Sequence, residues 1–398
     1  MSAHGTLGPR YLATALEELT SEKFVLLPGP RQVGKTTLAR AWLDARGGGR
    51  YLNWDAPTDR RSILKNEPFD AVGAMVLDEL HKYARWKSYL KGLFDKTHDQ
   101  LAVVVTGSAR LDVFVRGGDS MLGRYELLRL HPLSLGELTH GGVPEPPRTA
   151  EAWATLGRAP APTSMLEQLE SFGGFPEPFY RASHAFHTRW SSRRRDLVLR
   201  EDLRELTHIR AVSLVEHLWF LLPERVGSLL SVNALREELA VAHDTVSAWL
   251  DAFERLYLVF RLPPFVVRRT RSLTKERKLY LWDWSQVEDP AARFENLVAS
   301  HLLKAVHAWT DLGYGDFDLF YARDREKREV DFVVTQRRKP VALIECKLGD
   351  EELSPSLVRL GEMLPNAARI QVVRKPGVDR HHGKTRVVSA GVFLAGLC

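Results

Sequence analysis

Cysteine is almost absent from this sequence. The 398 residues contain two, Cys346 and Cys398, which are too few for a disulfide framework and offer no zinc-ligand spacing. No run of 18 apolar residues occurs, and the N-terminal residues lack the basic and then apolar pattern of a secretion signal. These absences predict a protein of the reducing cytoplasm with no membrane partner.

Positive charge is in only slight excess over negative charge. Lysine and arginine number 56 against 50 aspartates and glutamates, which gives a net charge of +6. That excess permits contact with nucleic acid without requiring it. A chain of 398 residues is longer than one hydrophobic core usually supports, so we expect two or three domains.

Short apolar runs alternate with helical patterns in the first third of the chain. Strands separated by helices predict a parallel sheet covered on both faces, an α/β fold. The predicted strands there are Phe24–Pro28, Tyr51–Asp55, Ala74–Asp78, Leu101–Thr106 and Tyr125–Leu130, and Lys35–Ala45 is the helix after the first. A mostly helical part follows. A second α/β unit then begins with a helix and continues as the strands Phe317–Tyr321, Val330–Thr335, Val341–Lys347 and Arg369–Val373.

A phosphate-binding motif follows the first predicted strand. The sequence GPRQVGKT fits G-x-x-x-x-G-K-[ST] and opens a helix, which is the context that this motif requires. Its glycines let backbone N–H groups surround phosphate oxygens, and the helix N-terminus adds partial positive charge. Lys35 is predicted to reach the β- and γ-phosphates, and the Thr36 hydroxyl to bind Mg²⁺. The predicted ATP-binding residues are Gly29, Pro30, Arg31, Gln32, Val33, Gly34, Lys35, Thr36 and Thr37.

Acidic and hydroxyl side chains end two later strands. AMVLDE places Asp78 and Glu79 after four apolar residues, where Asp78 would hold Mg²⁺ and Glu79 would polarise the attacking water. The alternative is an acidic strand end that faces solvent. The strand LAVVVTGS delivers Thr106 and Ser108 to the same edge, and Ser108 is predicted to sense the γ-phosphate or orient water. A serine in a plain turn is the other interpretation.

These segments together resemble the AAA+ class of ATPases. Within it, GPRQVGKTTLA, LDELHK, TGSARL, GRYELLRLHPLSLGEL and FGGFPEP are similar to a bacterial and archaeal family of single-chain ATPases with a C-terminal DUF4143 domain. The resemblance implies that Arg124 acts as an arginine finger on a neighbouring subunit's nucleotide, and therefore a homo-oligomer. A plain surface arginine is the alternative.

The predicted domains are four. Residues 1–140 form the P-loop ATPase core, 141–230 a linker and helical lid, 231–290 a winged helix, and 291–398 the DUF4143 domain. The third part has helix–turn–helix form, with Asp244 as the predicted N-cap of its second helix, and a basic hairpin follows. One interpretation is that the cations of the hairpin contact DNA phosphates without reading the base sequence. The alternative is that the winged helix serves only as a spacer between domains. The cations are Arg268, Arg269, Arg271, Lys275, Arg277 and Lys278.

A carboxylate–lysine pattern occupies the C-terminal strands. REVDFVV places Asp331 on one strand, and VALIECKL places Glu345 and Lys347 two residues apart on the next, on one face. Two carboxylates can hold a divalent cation, and the lysine can activate water near a phosphate. The pattern resembles the PD-(D/E)xK nuclease superfamily, which implies a further acid on the preceding helix, and Glu295 matches that place.

We therefore expect a second Mg²⁺ or Mn²⁺ held by Glu295, Asp331 and Glu345, with DNA as the nuclease substrate. The alternative is a degenerate nuclease fold in a nucleotide-dependent switch that binds nucleic acid without cleaving it.

Overall fold

The computed structural model describes residues 10–108, 121, 123–157, 161–203, 212–265, 276–350 and 352–398. The backbone divides into two compact units. The first is Met1–Pro132 with Arg255–Tyr257, and the second is Leu133–Glu254 with Leu258–Cys398. In the described ranges, no helix is both long enough and apolar enough to cross a membrane.

The first unit contains a five-stranded sheet in the order β2-β3-β4-β1-β5, with every pairing parallel. The predicted parallel α/β sheet is therefore confirmed. The strands are β1 (Phe24–Pro28), β2 (Arg50–Asn53), β3 (Gly73–Asp78), β4 (Leu101–Gly107) and β5 (Tyr125–Leu127), and the helices are α1 (Ala13–Leu19), α2 (Lys35–Ala45), α3 (Pro57–Leu64) and α4 (Trp86–Thr97).

The core of this unit follows from alternation along the strands. Side chains two residues apart point to the same face of a sheet. On one face, Phe24 and Leu26 of β1 join Met75 and Leu77 of β3 in a single buried cluster, which also contains residues of α4. Because the central strands are apolar on both faces, their polar residues collect at the carboxyl ends.

The second unit begins with helices. They are α5 (Leu135–His140), α6 (Ala150–Ala154), α7 (Thr163–Phe172), α8 (Pro176–Arg181), α9 (His184–Leu197), α10 (Val212–Leu221), α11 (Val232–Glu238) and α12 (His243–Arg255). Four of them begin after a Ser or Thr whose side chain accepts a backbone N–H of the first turn, namely Ser134, Thr149, Ser183 and Ser231. Helix α12 begins at His243, so Asp244 lies in its first turn and is not the N-cap.

An antiparallel hairpin and a mixed sheet complete the unit. The hairpin pairs β6 (Val259–Leu262) with β7 (Lys278–Leu281). The sheet has the order β12-β13-β11-β10-β9-β8 and is antiparallel over β8, β9 and β10. Its elements are α13 (Pro290–Asp311), β8 (Phe317–Arg323), β9 (Glu329–Gln336), β10 (Lys339–Lys347), α14 (Pro355–Met363), β11 (Ala368–Val373), β12 (Asp379–His382), β13 (Thr385–Ser389) and α15 (Ala390–Phe393).

A buried histidine fastens α13 to the start of α5. The Nε2 atom of His301 accepts the backbone N–H of Leu135 at 3.0 Å, and its Nδ1 lies 2.8 Å from the carbonyl oxygen of Leu297. Both ring nitrogens are therefore engaged, with the proton on Nδ1. Burial lowers the pKa of His301 to about 4.

We expect this histidine to make stability fall in mild acid. The folded-state pKa lies below the unfolded value of about 6.5, so the contribution of neutral His301 is present above pH 6.5 and is lost as the pH falls toward 4. Between pH 7 and pH 5 this group should remove about 2 kcal/mol from the free energy of unfolding. Denaturant melts of wild type and His301→Gln at both pH values measure the difference, and identical pH responses would contradict it.

Candidate functional site

The loop between β1 and α2 is built from backbone conformations that favour glycine. Gly34, at the N-terminal cap of α2, has a φ of 101°, and Gln32 has a φ of 65°. Gly29 has no room for a side chain, because a Cβ atom there would lie 2.4 Å from the carbonyl oxygen of Leu130. The turn leads directly into α2, whose first N–H groups have no partner within the helix. This strand–loop–helix geometry is the one that the motif predicts, and its binding of an anion stays a prediction.

The lysine of the motif lies inside this loop. Lys35 is buried, and its Nζ donates to the carbonyl oxygens of Gly29 at 2.9 Å and Pro30 at 2.8 Å. The loop therefore already holds an ammonium group among its own main-chain atoms.

Three hydroxyl groups converge on the carboxylate that ends β3. Thr36 donates to Oδ2 of Asp78 at 3.0 Å, Tyr51 donates to the same oxygen, and Thr106 donates to Oδ1. Tyr51 and Thr106 lie on β2 and β4, the two neighbours of β3, so the parallel sheet brings these groups together. The predicted meeting of Thr36 with Asp78 is present.

Sequence reasoning missed Tyr51, which lies outside any recognised motif. Its ring lies under the guanidinium of Arg40, at 3.9 Å from the ring centroid. Burial raises the pKa of Tyr51 to about 12, and the hydrogen bond to Asp78 adds to the rise, so the phenol stays protonated and remains a donor.

The backbone conformation at Glu79, the acid that follows Asp78, is unusual. Glu79 has a φ of 55°, in a region that residues with a side chain seldom adopt. The Ser108 hydroxyl donates to Oε2 of Glu79 at 3.2 Å, and the His81 Nε2 lies 3.7 Å from the same oxygen. The two side chains predicted to act on water are thus in contact.

A second cluster of charges lies in the other unit, around a buried lysine. The Nζ atom of Lys278 lies 2.7 Å from Glu329 Oε1, 3.1 Å from Glu295 Oε1 and 3.1 Å from Asp331 Oδ1. Burial would lower the pKa of Lys278, but the neighbouring Tyr280 and carboxylates outweigh it and hold that pKa well above its usual value. Burial, reinforced by Asp331, raises the pKa of Glu295 to about 7.

The third predicted ligand has different partners. Glu345 Oε1 is 2.9 Å from Lys347 Nζ and accepts the Ser354 hydroxyl at 3.1 Å, while its Oε2 is buried without a hydrogen-bond partner. Burial, with a contribution from Asp331, raises the pKa of Glu345 to about 7. Glu345 and Lys347 line an open pocket of about 540 Å³ at the start of α14. Across the part of the chain that the structure describes, no group of three His, Cys, Asp or Glu side chains is arranged to hold a metal ion, and Glu295, Glu329 and Asp331 surround an ammonium group instead.

Three family models match successive parts of the chain. Residues 21–139 match an AAA domain, residues 163–287 a domain of unknown function (DUF8612), and residues 291–389 a domain of unknown function (DUF4143). The chain combines an AAA domain with a DUF4143 domain. This confirms the family predicted from the sequence, whereas the nuclease-like character of the DUF4143 domain stays a prediction.

Two relatives of the chain are named as uncharacterised proteins. An uncharacterised protein of Mycobacterium tuberculosis is 23% identical over 327 residues, which cover 79% of this chain and 68% of that protein. An uncharacterised protein of Haemophilus influenzae is 20% identical over 353 residues, covering 81% and 82%.

Solved structures resemble the chain only distantly. The RuvB Holliday junction branch migration motor of Thermotoga maritima is 17% identical with a TM-score of 0.29, covering 63% of this chain and 87% of its own. AMPPCP-bound DnaA from Aquifex aeolicus is 13% identical with a TM-score of 0.29, covering 61% and 85%. Similarity at this level carries no conclusion about function.

The predicted arginine finger of the AAA domain is engaged within its own chain. Arg124 Nε lies 2.6 Å from Oδ1 of Asp95, and its Nη2 lies 3.3 Å from Oδ2. Arg124 immediately precedes β5, whereas the P-loop follows the opposite end of the parallel strand β1. Its action on another subunit stays a prediction, and such action requires the guanidinium to leave Asp95.

The basic hairpin differs from its prediction at one described residue. Lys278 was expected to offer its charge to DNA, but its side chain is 1% exposed and paired with carboxylates. That prediction is wrong because the strand β7 turns the side chain inward. Arg277 is exposed, as expected. Arg268, Arg269, Arg271 and Lys275 lie outside the described residues.

Proposed function

We propose that the AAA domain binds ATP with Mg²⁺ and hydrolyses it. The observation that carries this proposal is the convergence at the end of β1 and β3. A buried ammonium group lies in the loop, and the Thr36 hydroxyl lies 3.0 Å from the Asp78 carboxylate. Hydroxyl and carboxylate oxygens are ligands that Mg²⁺ accepts, and a helix N-terminus with a lysine suits a polyphosphate.

Each residue has a role in this proposal. Lys35 exchanges its bonds to loop carbonyls for bonds to phosphate oxygens, and the backbone of residues 29–37 surrounds them. Thr36 and Asp78 would hold the metal, and the hydroxyl groups of Tyr51 and Thr106 fix the carboxylate of Asp78. Glu79 accepts a proton from water, while Ser108 fixes its orientation. When bound, Mg²⁺ would act as a Lewis acid that stabilises negative charge on the phosphate oxygens.

Calorimetry and radiolabelled ATP turnover on the folded wild-type protein test this proposal. We expect ATP affinity at concentrations below about 1 mM and phosphate release that depends on Mg²⁺. Absence of both ATP and ADP binding at millimolar nucleotide would overturn it.

The DUF4143 domain has two candidate functions. One is the predicted nuclease, with Mg²⁺ or Mn²⁺ held by Glu295, Asp331 and Glu345 and with Lys347 activating water. The other is a domain that binds nucleic acid without cutting it. The contacts of Lys278 favour the second, since its ammonium already pairs with two of the proposed ligands. Plasmid nicking by wild type that is lost in Asp331→Ala would support the first.

The proposed partners follow from charge and from the AAA domain. The net charge of +6 is compatible with DNA as the partner, and retention on DNA that weakens as salt is added would test this. A homo-oligomer is proposed only if Arg124 acts on a neighbouring subunit, and sizing with and without an ATP analogue tests it. The near absence of cysteine supports a cytoplasmic location.

A further inference from the structure

We infer that Lys278 is the resident cation of the acid cluster in the DUF4143 domain, and that its ammonium stands where a divalent metal ion would bind. This inference rests on the non-cleaving form of the proposed function and gives its cause. It does not depend on ATP hydrolysis by the AAA domain.

The first support is the geometry around the ammonium. Three carboxylate oxygens lie within hydrogen-bonding distance of Nζ, at 2.7 Å for Glu329 and 3.1 Å for both Glu295 and Asp331. A lysine ammonium has three donors, which equals the number of these acceptors. A divalent metal ion would need the same oxygens at about 2.0–2.6 Å. The ammonium and the metal therefore compete for one set of lone pairs.

The second support is that other donors engage the same carboxylates. The Tyr280 hydroxyl donates to Oε1 of Glu295 at 2.7 Å, which is also the oxygen that contacts Lys278. The backbone N–H of Cys346 donates to Oδ2 of Asp331 at 2.9 Å. Two of the three carboxylates predicted to share a metal, Glu295 and Asp331, are thus each held by two donors of the protein.

The third support is the charge of the cluster. Glu295, Glu329 and Asp331 carry three negative charges when ionised, and Lys278 offsets one of them. Arg323 lies 3.4 Å from Oε2 of Glu329 and offsets a second. Glu345 is paired separately with Lys347 at 2.9 Å. Lys278 is the only one of these three cations whose side chain is almost fully buried, so the others remain next to solvent.

The consequence concerns the chemistry of the domain. A nuclease of the predicted kind uses its metal to generate hydroxide and to neutralise the phosphate. An ammonium group can neutralise a phosphate. It cannot coordinate a water molecule and lower the pKa of that water, so it does not generate hydroxide. The cluster therefore ties β7 to α13 and β9, and we expect the domain to leave phosphodiester bonds intact.

Manganese binding to the nucleotide-free, full-length protein tests the inference. All variants carry Asp78→Asn, which removes a proposed metal ligand of the AAA domain, and electron paramagnetic resonance counts bound Mn²⁺. We expect no Mn²⁺ in the cluster of this parent, one Mn²⁺ per chain in Lys278→Ala, and loss of that ion when Asp331→Asn is added. Lys339→Ala, which removes an exposed lysine at the start of β10, is the matched control and should gain none.

Two results would overturn the inference. One is a parent protein that binds Mn²⁺ and loses it on Asp331→Asn alone. The other is a folded Lys278→Ala protein that binds none. If Lys278→Ala does not fold, the comparison of the parent with its Asp331→Asn derivative still decides, because it needs no change at Lys278. Failure of ATP turnover in the otherwise unmodified protein would count against the proposed ATPase and not against this inference.

Discussion

Lys35→Ala is expected to lower ATP turnover at least about 100-fold, because it removes the buried cation that lies within the phosphate loop. Steady-state phosphate release with Mg²⁺ measures the loss. The matched control is Lys65→Ala, which removes an exposed lysine from the end of α3 in the same unit and should leave turnover unchanged. Equal turnover in Lys35→Ala and wild type would remove this lysine from the proposed mechanism.

Replacement of Glu79 is expected to separate ATP binding, measured by calorimetry, from ATP hydrolysis, measured by phosphate release. Glu79→Gln keeps the size and the contact with Ser108 but cannot accept a proton, so ATP affinity should persist while turnover falls. Loss of affinity in this variant would instead indicate that Glu79 serves to shape the site.

Lys304→Met is expected to lower the free energy of unfolding by about 3–5 kcal/mol, because it leaves the carboxylate of Glu137 buried without its cation. The two side chains form an ion pair in which they are 1% and 3% exposed, and the Lys304 ammonium also donates to the Ser134 hydroxyl at 2.7 Å. Urea unfolding followed by tryptophan fluorescence measures the change.

A double variant supplies the control for that pair. Lys304→Met with Glu137→Leu removes both charges together, and apolar replacements of a buried pair are often neutral or stabilising. We expect it to recover most of the lost stability. A single variant as stable as wild type would show that water reaches Glu137.

The sequence predicts best where one local pattern decides the structure. The strand Phe24–Pro28 and the helix Lys35–Ala45 have the predicted bounds, because an apolar run and a glycine-rich turn specify them without help from distant residues. The strands β12 and β13 were not predicted. All four residues of β12 are exposed, so it lacks the apolar alternation by which strands are recognised.

The same distinction applies to the sites. Thr36 and Asp78 belong to motifs whose spacing implies their meeting, whereas Tyr51 reaches Asp78 only through the pairing of β2 with β3. Lys278 lies in a charged stretch that is typical of a surface. Two of its three carboxylate partners, Glu295 and Asp331, are 17 and 53 residues away in sequence, so no local pattern could indicate its burial.

The crowding at Gly29 means that folding alone requires glycine at this position, whether or not the loop binds nucleotide. Any side chain there would clash with the carbonyl oxygen of Leu130. The N–H of Leu130 donates a hydrogen bond to the carbonyl oxygen of Pro28 at 2.8 Å, which holds this segment in place. A chain selected solely for folding would therefore still retain glycine at this position. In a mutational library sorted once for expression and once for nucleotide turnover, position 29 should be intolerant in both, while Glu79 should be intolerant only in the second.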